Sequence, residues 1–283
     1  MGRRQEPTAR QARLGLELRR LREAAGLKAT AAASLLGVNS VQVSQIESGI
    51  SGVSEQRVRR LAANYACSDK ELIDALVAMA TDRTRGWWET YRGTLPAAYL
   101  DLAELDHHAR FRHDVAVIHV PGLLQTEDYA RSLFAYMNPE FPDAEVDLRV
   151  EHRMRRRVVI EGPDPIPYDT VIHEAALRIR VAGRAASRAQ LHRILGMSEA
   201  KHISVQVIPF TADDFAGGGS TMVHSGGPVP RLDTVVRDAP HGTAFVDSEA
   251  QLDHFRKLFR RVKGAALPPK QSRDFIHQLT KEL

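Results

Sequence analysis

At 283 residues the chain has room for two domains on the usual scale of roughly 100–200 residues each, and 43% hydrophobic residues suffice to fill their cores. Charged residues at 26% are ordinary for a soluble protein. No apolar run approaches the roughly 20 residues that span a bilayer, so no membrane segment is expected. The charge is unevenly placed. Up to Tyr65, eleven basic residues stand against five acidic ones for a net +6; the whole chain is +4, which leaves −2 for the remainder. A basic module on a near-neutral body suits a phosphate binder, although a solvated basic face has the same composition. The N-terminal run MGRRQEPTARQARLG lacks the apolar core of a secretory signal. The single cysteine, Cys67, cannot form an internal disulfide, fits a reducing cytoplasm and reads as a small buried residue.

In chain order, Leu14, Leu18, Leu21 and Ala25 recur on one face of a first helix, with Gly26 as its stop. A second helix runs through the Ala-rich stretch with Ala32, Ala33 and Leu36 inward, and Gly37 supplies a tight turn. Asn39 is the expected N-cap of a third helix, with Val43 and Ile46 inward and Gly49 at its end. A fourth begins near Ser54 with Val58, Leu61 and Ala62 inward, and a fifth covers Asp69 to Thr81. The outer face of the third helix carries Ser40, Val41, Gln42, Ser44 and Gln45, with no acid before Glu47. Amides and hydroxyls pair with base edges in the major groove, and Val41 can touch a thymine methyl. The bland alternative is an uncharged surface helix in a small bundle. The basic stretch Asp82–Gly86 reads as a hinge, dividing residues 1–82 from residues 83–283.

Beyond the hinge, strands are expected over Val115–Val120, Thr170–His173, Ile203–Ile208 and Thr234–Arg237. Helices are expected over Thr126–Tyr136, Ala144–Arg157, Ala186–Met197, Glu249–Val262 and Pro269–Leu283. The fold class is therefore α+β overall: an all-α module followed by a mixed α/β domain.

The run Leu21–Gly49 (LREAAGLKATAAASLLGVNSVQVSQIESG) resembles the phage-repressor, or Xre-type, helix-turn-helix. That resemblance implies that Ser40, Val41 and Gln45 meet bases and that Gln42 meets a base edge or phosphate. It pairs Arg22 with Glu47, tying the first helix to the third. Arg19, Lys28, Asn39 and Ser44 are the expected phosphate contacts. Where that family usually begins its second helix with Thr-Gln, this chain has Lys28-Ala29, which implies weaker anchoring on the DNA backbone. Further on, the runs Arg85–Trp88, Val120–Ala130 (VPGLLQTEDYA), His173–Leu177 and Val205–Phe210 resemble, in that order, the actinobacterial antitoxin-like regulators that include WhiJ-type paralogues. This resemblance implies a C-terminal domain that receives a small partner protein encoded by a neighbouring gene.

Catalytic chemistry finds little support. His107, His108 and His113 with Asp106 and Asp114 are the densest set of metal-capable side chains, but their spacing fits no standard zinc pattern. Gly217-Gly218-Gly219-Ser220 lacks the Lys-Ser/Thr of a phosphate loop and reads as a surface loop, and no G-x-S-x-G elbow occurs. No catalytic residue, metal or cofactor is expected. Trp87, Trp88 and Tyr91 are read either as a ligand or partner surface or as apolar packing between the domains. Gln125 and Thr126 are read either as part of such a surface or as the start of a helix. The expected function is a cytoplasmic, homodimeric, sequence-specific regulator of transcription on double-stranded operator DNA, whose C-terminal domain senses a partner or ligand. The alternatives are an antitoxin-like protein that mainly sequesters a small neighbour, and a small-molecule sensor or enzyme with helix-turn-helix output.

Overall fold

The computed structural model describes residues 6–213, 215–216, 221–239 and 242–283. The expected loop Gly217–Ser220, with Asp214 before it, lies outside the described residues. The chain divides into two compact units, one ending at Leu105 and the other running from Asp106 to Leu283.

The first unit is helical: α1 (Ala9–Ala24), α2 (Ala29–Leu36), α3 (Ser40–Glu47), α4 (Glu55–Asn64), α5 (Lys70–Thr81), and α6 (Ala97–His108), which runs across the boundary. Local chemistry sets the ends. Thr8 caps α1 and forms a reciprocal capping box with Gln11; Asn39, Ser54 and Asp69 cap α3, α4 and α5. Gly26 and Gly37, both at φ +70°, end α1 and α2 with paired bonds, Gly26 N–H to Glu23 O with Leu27 N–H to Arg22 O, and Gly37 N–H to Ser34 O with Val38 N–H to Ala33 O. Leu14, Leu18, Leu21, Ala32, Ala33, Leu36, Val43, Ile46, Val58, Leu61 and Ala62 are buried as their periodicity predicts. Ala25 is exposed, because it caps α1 instead of continuing its apolar face. Cys67 is only half-buried.

The compact-unit boundary falls 23 residues beyond the expected hinge. The segment after the hinge stays with the first unit because the Ala9 N–H donates to Asp101 Oδ1 at 2.9 Å, and Glu104 is hydrogen-bonded by Thr8. Within it, Trp87–Tyr91 forms a 3-10 turn in which Trp88 and Tyr91 are 2% and 3% exposed. A Cβ on Gly86 would lie 2.0 Å from the Trp88 ring, so the turn closes only with glycine there.

The second unit is built from β1 (Arg112–Ala116), α7 (Glu127–Met137), α8 (Asp143–Arg155), α9 (Val158–Glu161), β2 (Tyr168–His173), α10 (Glu174–Arg178), α11 (Gly183–Met197), β3 (Ile203–Ile208), β4 (Met222–Ser225), β5 (Thr234–Ala239), β6 (Gly242–Val246), α12 (Glu249–Ala265) and α13 (Pro269–Glu282). The described strands form one mixed sheet in the order β3-β2-β1-β4-β5-β6. The first three are parallel and linked through helices, whereas β4, β5 and β6 pair antiparallel. Strand alternation splits the core in two. Tyr168, Ile172, Ile203, Val205 and Val207 join Leu191, Ile194, Ile276 and Leu279 of α11 and α13; Val115, Val171, Met222 and Val235 join Leu252, Phe255, Phe259 and Val262 of α12.

The strand expected over Val115–Val120 lies instead at Arg112–Ala116. Its presumed end leaves the sheet because Val120 is paired elsewhere: its N–H donates to the Tyr129 hydroxyl, and its carbonyl accepts from Gln125 Nε2. β4 and β6 were not expected; each is short, and β6 opens on a glycine. α11 begins at Gly183, three residues before its expected start.

Candidate nucleic-acid interface

The close packing of α3 on α1 depends on two glycines. A Cβ on Gly15 would stand 2.6 Å from the carbonyl oxygens of Ile46 and Glu47, and one on Gly49 would stand 2.6 Å from that of Gln11. Sequence reading passed over Gly15; its signal was a glycine within a helix, where it costs about 0.5–1 kcal/mol unless close approach requires it. The contact is locked by a two-pronged ion pair. Arg22 Nε donates to Glu47 Oε1 at 2.6 Å and Nη2 to Oε2 at 2.9 Å, while Nη1 donates to Leu27 O at 2.6 Å. Both side chains are 9% exposed. The hydrogen bond to Glu47 raises the Arg22 pKa above its ordinary value despite burial, so the guanidinium stays charged. A second buried set, also missed, links Arg13 and Arg20 to Glu17, which is fully buried on α1.

Held in this way, α3 turns Ser40, Val41, Gln42 and Ser44 to solvent, and Val41 is 61% exposed. Gln45 is half-buried; the Ser51 hydroxyl donates to its Oε1 at 3.2 Å, leaving the amide nitrogen as a donor. Asn39 accepts from the Gln42 N–H at 2.8 Å as the cap of α3. Lys28 is exposed at the N-terminal end of α2 and makes no side-chain cap bond. The first N–H groups of a helix left without a cap attract anions. Arg19 is exposed and paired with Glu23 at 2.7 Å, an ion pair that exchanges readily with a phosphate because exposed pairs contribute under about 1 kcal/mol.

The remaining predicted site residues are placed differently. Trp88, Tyr91 and Gln125 are buried and offer no surface, whereas Trp87 and Thr126 are half-buried. Gln125 donates to Val120 O and accepts from Arg153 Nη1, both at 2.7 Å, and its carbonyl accepts from Arg157. Thr126 caps α7 by accepting from the Tyr129 N–H, and its own N–H donates to Gln190 Oε1 at 2.7 Å. Leu123 and Leu124 are fully buried. The VPGLLQTEDYA run is thus a tight turn leading into α7, braced by its own Gln125 and Thr126 and by Arg153, Arg157 and Gln190 from outside it.

Of the metal-capable set, His107 and His108 sit ring to ring in the last turn of α6, and the other three residues take structural roles. Arg112 donates to Asp114 at 2.9 Å and to Asp106, Arg156 Nε donates to Asp106 at 2.8 Å, and the Tyr168 hydroxyl donates to Asp114 at 2.8 Å, all among buried residues. Burial works against the Arg112 charge, but the two carboxylates more than offset it and raise its pKa. His113 stacks on Phe259. Among the described residues, no group of three or more His, Cys, Asp or Glu side chains could hold a metal ion. No helix among them is long and apolar enough to cross a membrane.

Comparison with protein families finds two domains, the second beginning at residue 99, inside the first compact unit. A helix-turn-helix domain matches residues 13–76, which contain most of α1, all of α2 to α4 and part of α5, and a domain of unknown function, DUF5753, matches residues 99–278. No curated protein and no solved structure matches the chain. The DUF5753 match covers more than half of the chain, so the protein belongs to the DUF5753 family and carries a helix-turn-helix domain at its N-terminal end.

Proposed function

We propose that this protein is a cytoplasmic, sequence-specific regulator of transcription that reads operator DNA with α3. The observation that carries the reading is the outer face of α3, where Ser40, Val41, Gln42 and Ser44 are exposed and uncharged on a helix anchored by a buried ion pair. Such a face offers hydroxyl and amide groups to base edges and one methyl-bearing side chain to thymine. Arg19, Lys28 and the N-terminal end of α2 supply phosphate contacts around it, with Asn39 and Ser44 flanking the reading residues. One reading helix covers few base pairs, so a homodimer on two half-sites about 34 Å apart supplies the specificity. The resemblance to Xre-type and actinobacterial antitoxin-like regulators supports the same reading, with the DUF5753 domain as the receiver of a signal and without catalysis. A second reading, in which the signal is a small molecule instead of a partner protein, is favoured by a cleft beside His224 in the second unit.

The test is binding of the full chain to its own promoter and to unrelated DNA across several salt concentrations. Preference for the promoter that survives moderate salt supports the regulator; equal, steeply salt-dependent binding to both refutes sequence-specific recognition.

A further inference from the structure

We propose that the second unit carries a small-molecule site: the cleft between β1, the β4–β5 connection and α12 takes a planar aromatic acid that also offers an N–H or O–H donor. The site deepens the signal-receiving role proposed above, and rests on it only for its consequence at DNA. The cleft measures about 510 Å³, within the roughly 300–1,000 Å³ of small-molecule sites.

Three features define the occupant. The first is a continuous aromatic wall. His113 lies on Phe259 with ring centroids 4.4 Å apart and planes 2° from parallel, Phe111 stands 4.6 Å from His113, and His224 meets Phe111 edge-on at 5.3 Å. Burial, followed by the neighbouring His224, lowers the His113 pKa to about 4, so the wall is uncharged there at neutral pH. Such a wall favours a flat ring laid against it.

The second is a buried acceptor. His224 is 2% exposed and its Nε2 lies 3.0 Å from Asp233 Oδ2. Asp233 is pulled upward by burial, but hydrogen bonds from His224, Arg256 and the Gly227 N–H hold its pKa below the usual carboxylate value. An ionised carboxylate only accepts, so the tautomer that fits Asp233 carries its proton on Nε2, and in that tautomer Nδ1 is the acceptor. That buried Nδ1 has no hydrogen-bond partner among the described residues, so it remains open to a donor. A ligand donor completes it. The third is positive charge: Arg256 and exposed Arg260 line the same cleft and favour an anionic end on the ligand.

Titration calorimetry of the full chain with indole-3-carboxylate tests the site. Binding in the millimolar range or tighter is expected. It should weaken about tenfold or more for 1-methylindole-3-carboxylate, which lacks the donor, and also for indole, which lacks the acid. His224→Gln, which keeps a donor towards Asp233 but loses the ring acceptor, should abolish the preference for the unmethylated probe. Arg260→Ala, at an exposed position, should weaken the acid and leave indole unchanged. The Nδ1 resonance of His224 in the wild-type protein should move on adding the probe, a readout independent of any variant's folding. No binding at millimolar probe, equal binding of all three compounds, or an unmoved Nδ1 resonance overturns the proposal. DNA binding is measured separately in the same samples. If the probe binds without changing DNA affinity, the site stands and its signalling role falls; if promoter preference is absent, the regulator reading fails without altering the calorimetric result.

Discussion

Two polar stretches of this chain look alike on paper and meet opposite fates. Ser40–Gln45 and the pair Gln125 and Thr126 each combine amide and hydroxyl side chains at the start of a helix, and each stands within a recognisable motif. On α3 three of those side chains, Ser40, Gln42 and Ser44, face solvent, and the half-buried Gln45 keeps a donor to offer. At the start of α7, Gln125 is buried with its amide engaged on both sides, and Thr126 caps the helix. A long, specific motif therefore says that residue types matter, not that they face a partner. What separates the two cases is whether the polar groups are satisfied inside the fold.

The largest expected effect tests the support beneath the open face. Arg22→Ala leaves Glu47 buried without its cation and should destabilise the protein by about 3–5 kcal/mol, read as a lowered denaturant midpoint. A loss under about 1 kcal/mol would mean that the pair is not what holds α3.

Acid probes the closed region. Burial, then the neighbouring arginines, lowers the His152 pKa to about 3, and His113 lies near 4. Both fall below the unfolded value of about 6.5, so the unfolded chain binds more protons in this window. Stability should be intact above about pH 6.5 and should fall as the pH drops towards 3. By about pH 5 the loss from His152 is about 2 kcal/mol, and half-buried His113 contributes less because solvent screens it. Flat stability between about pH 7 and 5 in urea titrations would contradict these placements.

The comparison itself is sharpened by a crossed pair of substitutions. Gln125→Ala should cost about 1–3 kcal/mol of stability, since it strands the Val120 carbonyl and Arg153, while leaving base preference unchanged. Gln45→Ala should do the reverse: stability within about 0.5 kcal/mol, and discrimination at one base position reduced by about 1–3 kcal/mol. Thermal melts and a binding profile over operator variants separate the two, and an unchanged profile for Gln45→Ala would remove it as a reading residue.

The smallest effect is a gain. Ala66 ends α4 at φ +52°, with its N–H on Ala63 O and the Cys67 N–H on Ala62 O, the position that glycine takes after α1 and α2. Ala66→Gly should raise stability by about 0.5–1 kcal/mol, because relief of a left-handed alanine outweighs the extra freedom of glycine in the unfolded chain. A lower melting temperature would show that the alanine methyl makes a compensating contact.

Helices α1 to α5 were legible in the sequence because each is set locally, whereas α6 was not read from it. Capping side chains, stop glycines and the 3.6-residue recurrence act over one or two turns, and Leu14 to Ala62 are buried almost as that recurrence requires. The exposed face of α3 follows from the same periodicity. In the second unit β3 was equally plain, since six mostly apolar residues between turns can only be a buried strand or a short buried helix. Other features depended on groups far apart in the chain. Val120 leaves the sheet because Tyr129 and Gln125 take its backbone groups; β4 and β6 exist because partner strands satisfy theirs. Trp88 is buried because its ring folds over Gly86, and Asp106 and Asp114 are taken up by Arg112 and Arg156 in buried ion pairs. Local propensity is carried by neighbours in sequence. Burial and the partner of a polar group are decided by neighbours in space, which only the tertiary structure supplies.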